Sequence, residues 1–324
     1  SHIILFYGDK LNINKNYTCK VVKPEDFDLF WGDVLDDLSQ VDLKPEIIHD
    51  DLRSTKDIDI YQVFFNSLGN IRISAWLAVP VLNMSDNPIP VILQLPGYQN
   101  DPLIPKYWPL NGYASLSLNH RGKVRSRSEF DPGYPGVLTH NITDRNSYSY
   151  KGIYSDVWAS IDLLSSNYFD LSNVKIDSNR IGVAGSSQGG GLTIISAAMK
   201  KEVKAAACGA PYLCGYMDAI ELTNTYPYQE INDYLNLYPD RLDDVTNTLA
   251  YFDGMNFADK ITCPIILNVG LQDNVCPPET AYAVFENITS GNKKIYEYDG
   301  YGHDAGRYLH DQVTLDFFEN HLGK

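Results

Sequence analysis

Residues 180–192 read Arg180-Ile181-Gly182-Val183-Ala184-Gly185-Ser186-Ser187-Gln188-Gly189-Gly190-Gly191-Leu192. A short β-branched run, Ile181 to Val183, enters this stretch. Leu192, Ile194, Ile195 and Ala198 leave it at helical spacing. Between them lies Gly185-Ser186-Ser187-Gln188-Gly189, a match to G-x-S-x-G. The match alone is weak, because glycine and serine are common; the strand before it and the helix after it give it weight. The turn must be sharp, and glycines flank the serine where a side chain would collide with neighbouring backbone. Such a turn lifts the Ser187 hydroxyl above the sheet. It also sets the Gln188 backbone N–H at a helix N-terminus, where donor and dipole both favour a developing oxyanion. No Gly-Lys-Ser/Thr follows, which disfavours a phosphate-binding loop.

On either side of the turn, apolar runs alternate with helical segments. The runs are Val91 to Leu95, Tyr113 to Leu118, Arg180 to Ala184, Ala205 to Cys208 and Pro264 to Val269. Strands buried on both faces look like this. The helical segments are Ser155 to Ser166, Gln188 to Met199, Glu279 to Glu286 and Ala305 to Asn320. Strand–helix alternation predicts a parallel sheet with right-handed crossovers. Two earlier strands, Ile58 to Phe65 and Ile71 to Val79, are joined by a turn at Asn66 to Asn70 and predict an antiparallel start. The first fifty residues read as an arm plus a helix, opened by Pro24-Glu25-Asp26 and carrying Phe27, Phe30, Trp31, Val34, Leu35 and Leu38. Residues 211–262 form a Tyr-rich helical insertion, read as a cap over the carboxyl edge of the sheet. The expected class is α/β, with the α/β-hydrolase fold, helices on both faces and one domain over residues 1–324.

A serine needs a base to become a nucleophile. Seven histidines are present. His2 and His321 sit near the termini, His49, His120 and His140 precede the serine, and His310 falls inside the last helix, where a surface role is expected. His303 stands in a glycine-rich loop, Tyr298-Asp299-Gly300-Tyr301-Gly302-His303, and satisfies the chain order Ser, acid, His. Asp273 follows the run Pro264 to Val269 and is the favoured acid. Asp299 and Asp304 are rivals that lie too close to His303 in sequence to reach it from a separate loop. The second oxyanion donor is expected from Leu95-Pro96-Gly97-Tyr98, at the Tyr98 N–H; the Tyr98 ring either walls the pocket or only packs, and Pro211 and Tyr212 are further candidate substrate-binding residues. The expected chemistry is ester hydrolysis through an acyl-enzyme, with no metal and no cofactor. A peptidase on the same fold and a non-catalytic binding protein are the alternatives.

The chain has 324 residues and a net charge of −15. That anionic balance argues against nucleic acid and anionic membranes as partners. Five cysteines rule out complete internal pairing and favour a reducing compartment. Four Asn-x-Ser/Thr triplets, at Asn16, Asn83, Asn141 and Asn287, point the other way and carry little weight in an Asn-rich chain. No signal-peptide pattern is visible, and a start at Ser1 is compatible with a removed leader. The 23 tyrosines suit clefts and interfaces.

These residues together resemble family-seven carbohydrate esterases, the acetyl xylan esterases and cephalosporin C deacetylases. The resemblance runs from about Pro24 to Leu322. It rests on Phe27 to Trp31, Gly97-Tyr98, Arg121-Gly122, Tyr148-Ser149-Tyr150 with Gly152 to Asp156, Gly185 to Gly190, Pro211 to Leu213, Asp273 with Pro277-Pro278, and Gly302-His303. It implies removal of acetyl and other short acyl groups from sugar hydroxyls, on substrates such as acetylated xylo-oligosaccharides, without a metal. It also implies a homo-oligomer, hexameric with inward-facing sites, and cytoplasmic residence. The chain departs from the pattern at Pro96, where the family usually has His, and at Lys123, where it usually has Gln. Lys123, Arg125 and Arg127 are read as a solvated basic face rather than as a substrate contact.

Overall fold

Burial follows the apolar runs. In the computed structural model, which describes residues 13–81, 87–169 and 175–323, the five runs form strands with almost no exposed apolar side chain. The calls on the arm at residues 1–12, on His2 and on the triplet at Asn83 lie outside the described residues. The strands are β1 (Glu46–His49), β2 (Ile58–Asn66), β3 (Arg72–Pro80), β4 (Ile89–Leu95), β5 (Ala114–Asn119), β6 (Ile176–Ser186), β7 (Val203–Gly209), β8 (Ile265–Gly270) and β9 (Lys293–Tyr298). They make one sheet in the order β1-β2-β3-β5-β4-β6-β7-β8-β9. Pairing is antiparallel from β1 through β3 to β5 and parallel from β5 to β9. This is the α/β-hydrolase arrangement the alternation predicts. It puts the carboxyl ends of β4, β6, β8 and β9 on one edge of the sheet.

The helices are α1 (Phe27–Ser39), α2 (Ser149–Ser165), α3 (Gln188–Met199), α4 (Tyr216–Leu222), α5 (Gln229–Leu237), α6 (Leu242–Phe252), α7 (Pro278–Asn287) and α8 (Tyr308–Leu322). α1 buries Phe27, Trp31, Val34 and Leu38, the face its spacing marks. Trp31 stacks on Tyr154 of α2, meets Trp158 and Phe252 edge-on, and donates its indole N–H to the Tyr251 carbonyl at 2.8 Å. An aromatic anchor of this kind pins the N-terminal segment to the body of the fold.

Several boundaries differ from expectation. α2 begins at Ser149 rather than Ser155, because Ser149 to Ala159 is buried nearly all round and shows no one-sided periodicity. β1 escapes the pattern as well: it is an edge strand, largely exposed, with no apolar alternation. α8 starts later than expected, because Ala305 and Arg307 hold positive φ of 45° and 42°. The insertion is helical. Its α5 sends Glu230 to the loop after β4, while α6 packs against α1 and α2 through the Tyr251 and Phe252 carbonyls. Tyr212, Tyr216 and Tyr228 are fully buried in it, and Tyr226 and Tyr238 are exposed. Among the described residues no helix is long and apolar enough to cross a membrane. All five cysteines are free thiols.

Candidate active site

Ser187 stands between β6 and α3 with φ 60° and ψ −122°, a region non-glycine residues rarely occupy. The surroundings hold it there. Its N–H donates to the Gly209 carbonyl at 2.9 Å, and its own carbonyl accepts from Gly191 at 3.1 Å and Tyr212 at 3.0 Å. The flanking glycines are required by contact. A Cβ on Gly185 would lie 2.5 Å from the Gly189 backbone, and one on Gly189 would lie 2.4 Å from the Leu95 carbonyl oxygen. α3 therefore presses directly on the end of β4, and the serine and the loop that follows β4 share one edge.

Asp273 leaves β8 at that edge. One carboxylate oxygen accepts from the backbone N–H groups of Val275 at 2.8 Å and Cys276 at 2.9 Å. The other meets His303 Nδ1 at 2.9 Å. The Asp273 side chain is almost fully buried, whereas the imidazole is about a third exposed. A carboxylate fixed by two amides and facing Nδ1 selects the tautomer with Nδ1–H, leaving Nε2 free to take a proton. Asp304, one of the rivals, pairs with Arg307 instead, and Asp299 accepts from Gln272. In the same loop, burial pushes the Cys276 thiol well up, and Asp273 adds to the rise. Among the described residues the Ser187 hydroxyl makes no hydrogen bond to His303. Such bonds commonly tighten only when substrate is bound.

The loop after β4 places the Tyr98 backbone, and Gln188 opens α3, whose first N–H groups have no acceptor inside the helix. The Gln188 side chain ties the two together. Its Nε2 reaches the carbonyls of Pro96 at 3.3 Å and Gly97 at 3.2 Å and the His120 Nε2 at 3.0 Å; its Oε1 accepts from the Tyr150 hydroxyl at 2.7 Å. His120 donates from Nδ1 to the Arg121 carbonyl at 2.7 Å, so its Nε2 is the acceptor. Burial first, then the charge of Lys123, pushes its pKa down to about 3, and the ring is neutral.

Three readings change. The Tyr98 ring is not an open pocket wall: it is buried, packs edge-on against Tyr134 and Tyr212, and donates its hydroxyl to Glu230 at 2.7 Å. Tyr212 is fully buried too, and Pro211 is buried with its Cα close behind Gly190. Lys123 is no part of a solvated face. It is completely buried, whereas Arg125 and Arg127 are exposed as expected. His310 is buried rather than on the surface, with Nδ1 2.8 Å from the Tyr298 hydroxyl, and burial pushes its pKa down to about 4. Sequence reading also misses Glu230 and His120, since nothing in their local pattern signals partners on other elements.

The chain matches the model of the acetyl xylan esterase (AXE1) family over residues 9–321. It is 28% identical over 291 residues to acetyl esterase Axe7A of Xylanibacter ruminicola, covering 84% of this chain and 62% of that protein. The chain thus spans less than two thirds of that relative's length. Among solved structures it is similar to an acetyl xylan esterase from Paenibacillus sp. R4, with TM-score 0.85 and 30% identity over 95% of this chain and 98% of that one. It is also similar to acetyl xylan esterase 1 from Thermoanaerobacterium sp. JW/SL YS485, with TM-score 0.82 and 27% identity over 94% and 96%. A Pyrococcus horikoshii acylaminoacyl peptidase, 17% identical over 83% of this chain and 43% of that one with TM-score 0.61, shares the fold. By sequence and by structure alike, the chain belongs to the acetyl xylan esterase (AXE1) family.

Proposed function

We propose that this protein is a serine carboxylesterase that removes acetyl groups from sugar hydroxyls, xylo-oligosaccharides among them. The observation that carries the reading is the buried Asp273 carboxylate on His303 Nδ1, at the same sheet edge as a serine held in a strained turn. In this reading Ser187 attacks the acetyl carbonyl while His303 Nε2 takes its proton. Asp273 holds the imidazole and stabilises the imidazolium. The backbone N–H groups of Tyr98 and Gln188 receive the tetrahedral oxyanion. His303 then protonates the departing sugar alkoxide, and water cleaves the acyl-serine by the same route.

The test is acetate release from acetylated xylo-oligosaccharides and from 4-nitrophenyl acetate. Ser187→Ala is expected to lower kcat by at least about a thousandfold with the fold intact. Wild-type turnover by that variant would refute the assignment. Amide cleavage without ester cleavage would move the protein to the peptidase alternative.

We also infer that copies of the chain associate. Leu103 and Tyr308 are each 85% exposed, and burying such side chains between copies would favour association. Light scattering that gives a monomer at working concentration would remove this inference.

A further inference from the structure

The loop at residues 96–101 is gripped from three directions. Gln188 holds the Pro96 and Gly97 carbonyls, Glu230 holds the Tyr98 phenol, and Lys123 Nζ donates to the Tyr98 carbonyl at 2.7 Å and the Asn100 carbonyl at 3.0 Å. The third grip is the unusual one. An ammonium out of water ordinarily needs a carboxylate beside it, and burying one without that partner is costly. Here the acceptors are backbone carbonyls, and Nζ sits 4.3 Å from the centre of the Tyr134 ring. Asp101 lies nearby, but its side chain is exposed and pairs with Arg127 at 3.2 Å. A structural filler at this place would be apolar. A charge kept here has to act on the loop.

We propose that Lys123 is a positioning residue for ester cleavage: its ammonium fixes the Tyr98 and Asn100 carbonyls, aims the adjoining Tyr98 N–H at the oxyanion, and places a positive charge behind that donor. The inference rests on the esterase reading above for what the donor does, and on geometry alone for the clamp.

The charge state of Lys123 gives the clamp a signature. From the loop after β4, Asp101 faces it and favours the ammonium. From the segment after β5, Arg127 opposes it, and His120 faces it as a neutral ring. From the segment before α2, the Tyr134 ring covers it. Burial outweighs these and pushes the Lys123 pKa down to about 8. Above that pH the amine keeps N–H donors for both carbonyls but loses the charge assistance and the field.

The experiment compares wild type with Lys123→Gln and Lys123→Met, measuring kcat and KM for 4-nitrophenyl acetate from about pH 6 to about pH 9.5. Wild-type kcat is expected to step down near pH 8 to a lower plateau. Lys123→Met is expected to show kcat about 10- to 100-fold lower at neutral pH, with little change in KM and no step. Lys123→Gln, which keeps a donor without the charge, should fall between the two and also lack the step. A merely structural lysine would lower activity in the variants and leave the step in place, which would overturn the proposal. Amide hydrogen exchange supplies a readout independent of turnover: Lys123→Met should exchange faster in the peptide spanning residues 97–101. An unchanged exchange rate there overturns the clamp whatever the activity. An inactive wild type with faster exchange in the variant would sink the esterase reading and leave the clamp standing.

Discussion

Gly189 carries as much of the site as Ser187 does. It has no room for a methyl group, because the Leu95 carbonyl oxygen would lie 2.4 Å from its Cβ. Gly189→Ala must therefore push α3 away from the end of β4 and carry the loop at 96–101 with it. The expected cost is about 1–3 kcal/mol of stability, read from urea unfolding, and a drop in kcat of about 10- to 100-fold with little change in KM. Wild-type kcat in that variant would show that the contact does not set the loop. The need for this glycine is legible in the sequence, since a sharp strand-to-helix turn leaves no other choice. The burial of Lys123 is not. Its acceptors are backbone carbonyls of Tyr98 and Asn100, which carry no side-chain signature, and its neighbours Arg125 and Arg127 are exposed. His310 misleads for a similar reason: its partner is a tyrosine hydroxyl on β9.

At the scale of elements, the strands were readable because double burial leaves runs such as Val91 to Leu95 with no polar interruption. The start of α2 was not, because Tyr148 to Tyr154 is buried apart from Lys151 and mimics no helical stripe. His120, just past β5, is the pin between that strand, the loop after β4 and α3, through Gln188. It must be neutral to accept from Gln188. Its folded pKa, pushed down to about 3, lies below the ordinary histidine value of 6.5. Between those values the unfolded chain binds a proton that the folded chain refuses. The stabilisation is therefore complete above pH 6.5 and is lost as pH falls through the window toward 3, by up to about 1.4 kcal/mol per pH unit. His310, pushed down to about 4, adds a loss of the same sign. Urea midpoints at about pH 7.5 and about pH 4.5 should converge more in His120→Gln than in wild type. Equal slopes in the two proteins would contradict the neutral pin.

For the whole molecule, the sheet is what makes the chemistry local. Parallel pairing from β4 through β6, β7 and β8 to β9 sets the five loops at their carboxyl ends side by side, so that Ser187, Asp273 and His303 share one edge though far apart in the chain. The order serine, acid, histidine is visible in the sequence because Ser187 and Asp273 each follow an apolar run and His303 stands in a late glycine-rich loop. The grip of Glu230 and Lys123 on the loop is not, because it depends on which segments the folded chain lays across that edge. The most direct test of the account is the rate at which a fluorophosphonate modifies the protein, with the modified peptide located by mass spectrometry, in wild type, His303→Ala and Asp273→Asn. The account predicts that the label lands on Ser187 and that both variants slow it by at least about a thousandfold. A label on another residue, or wild-type labelling of Ser187 without His303, would contradict it.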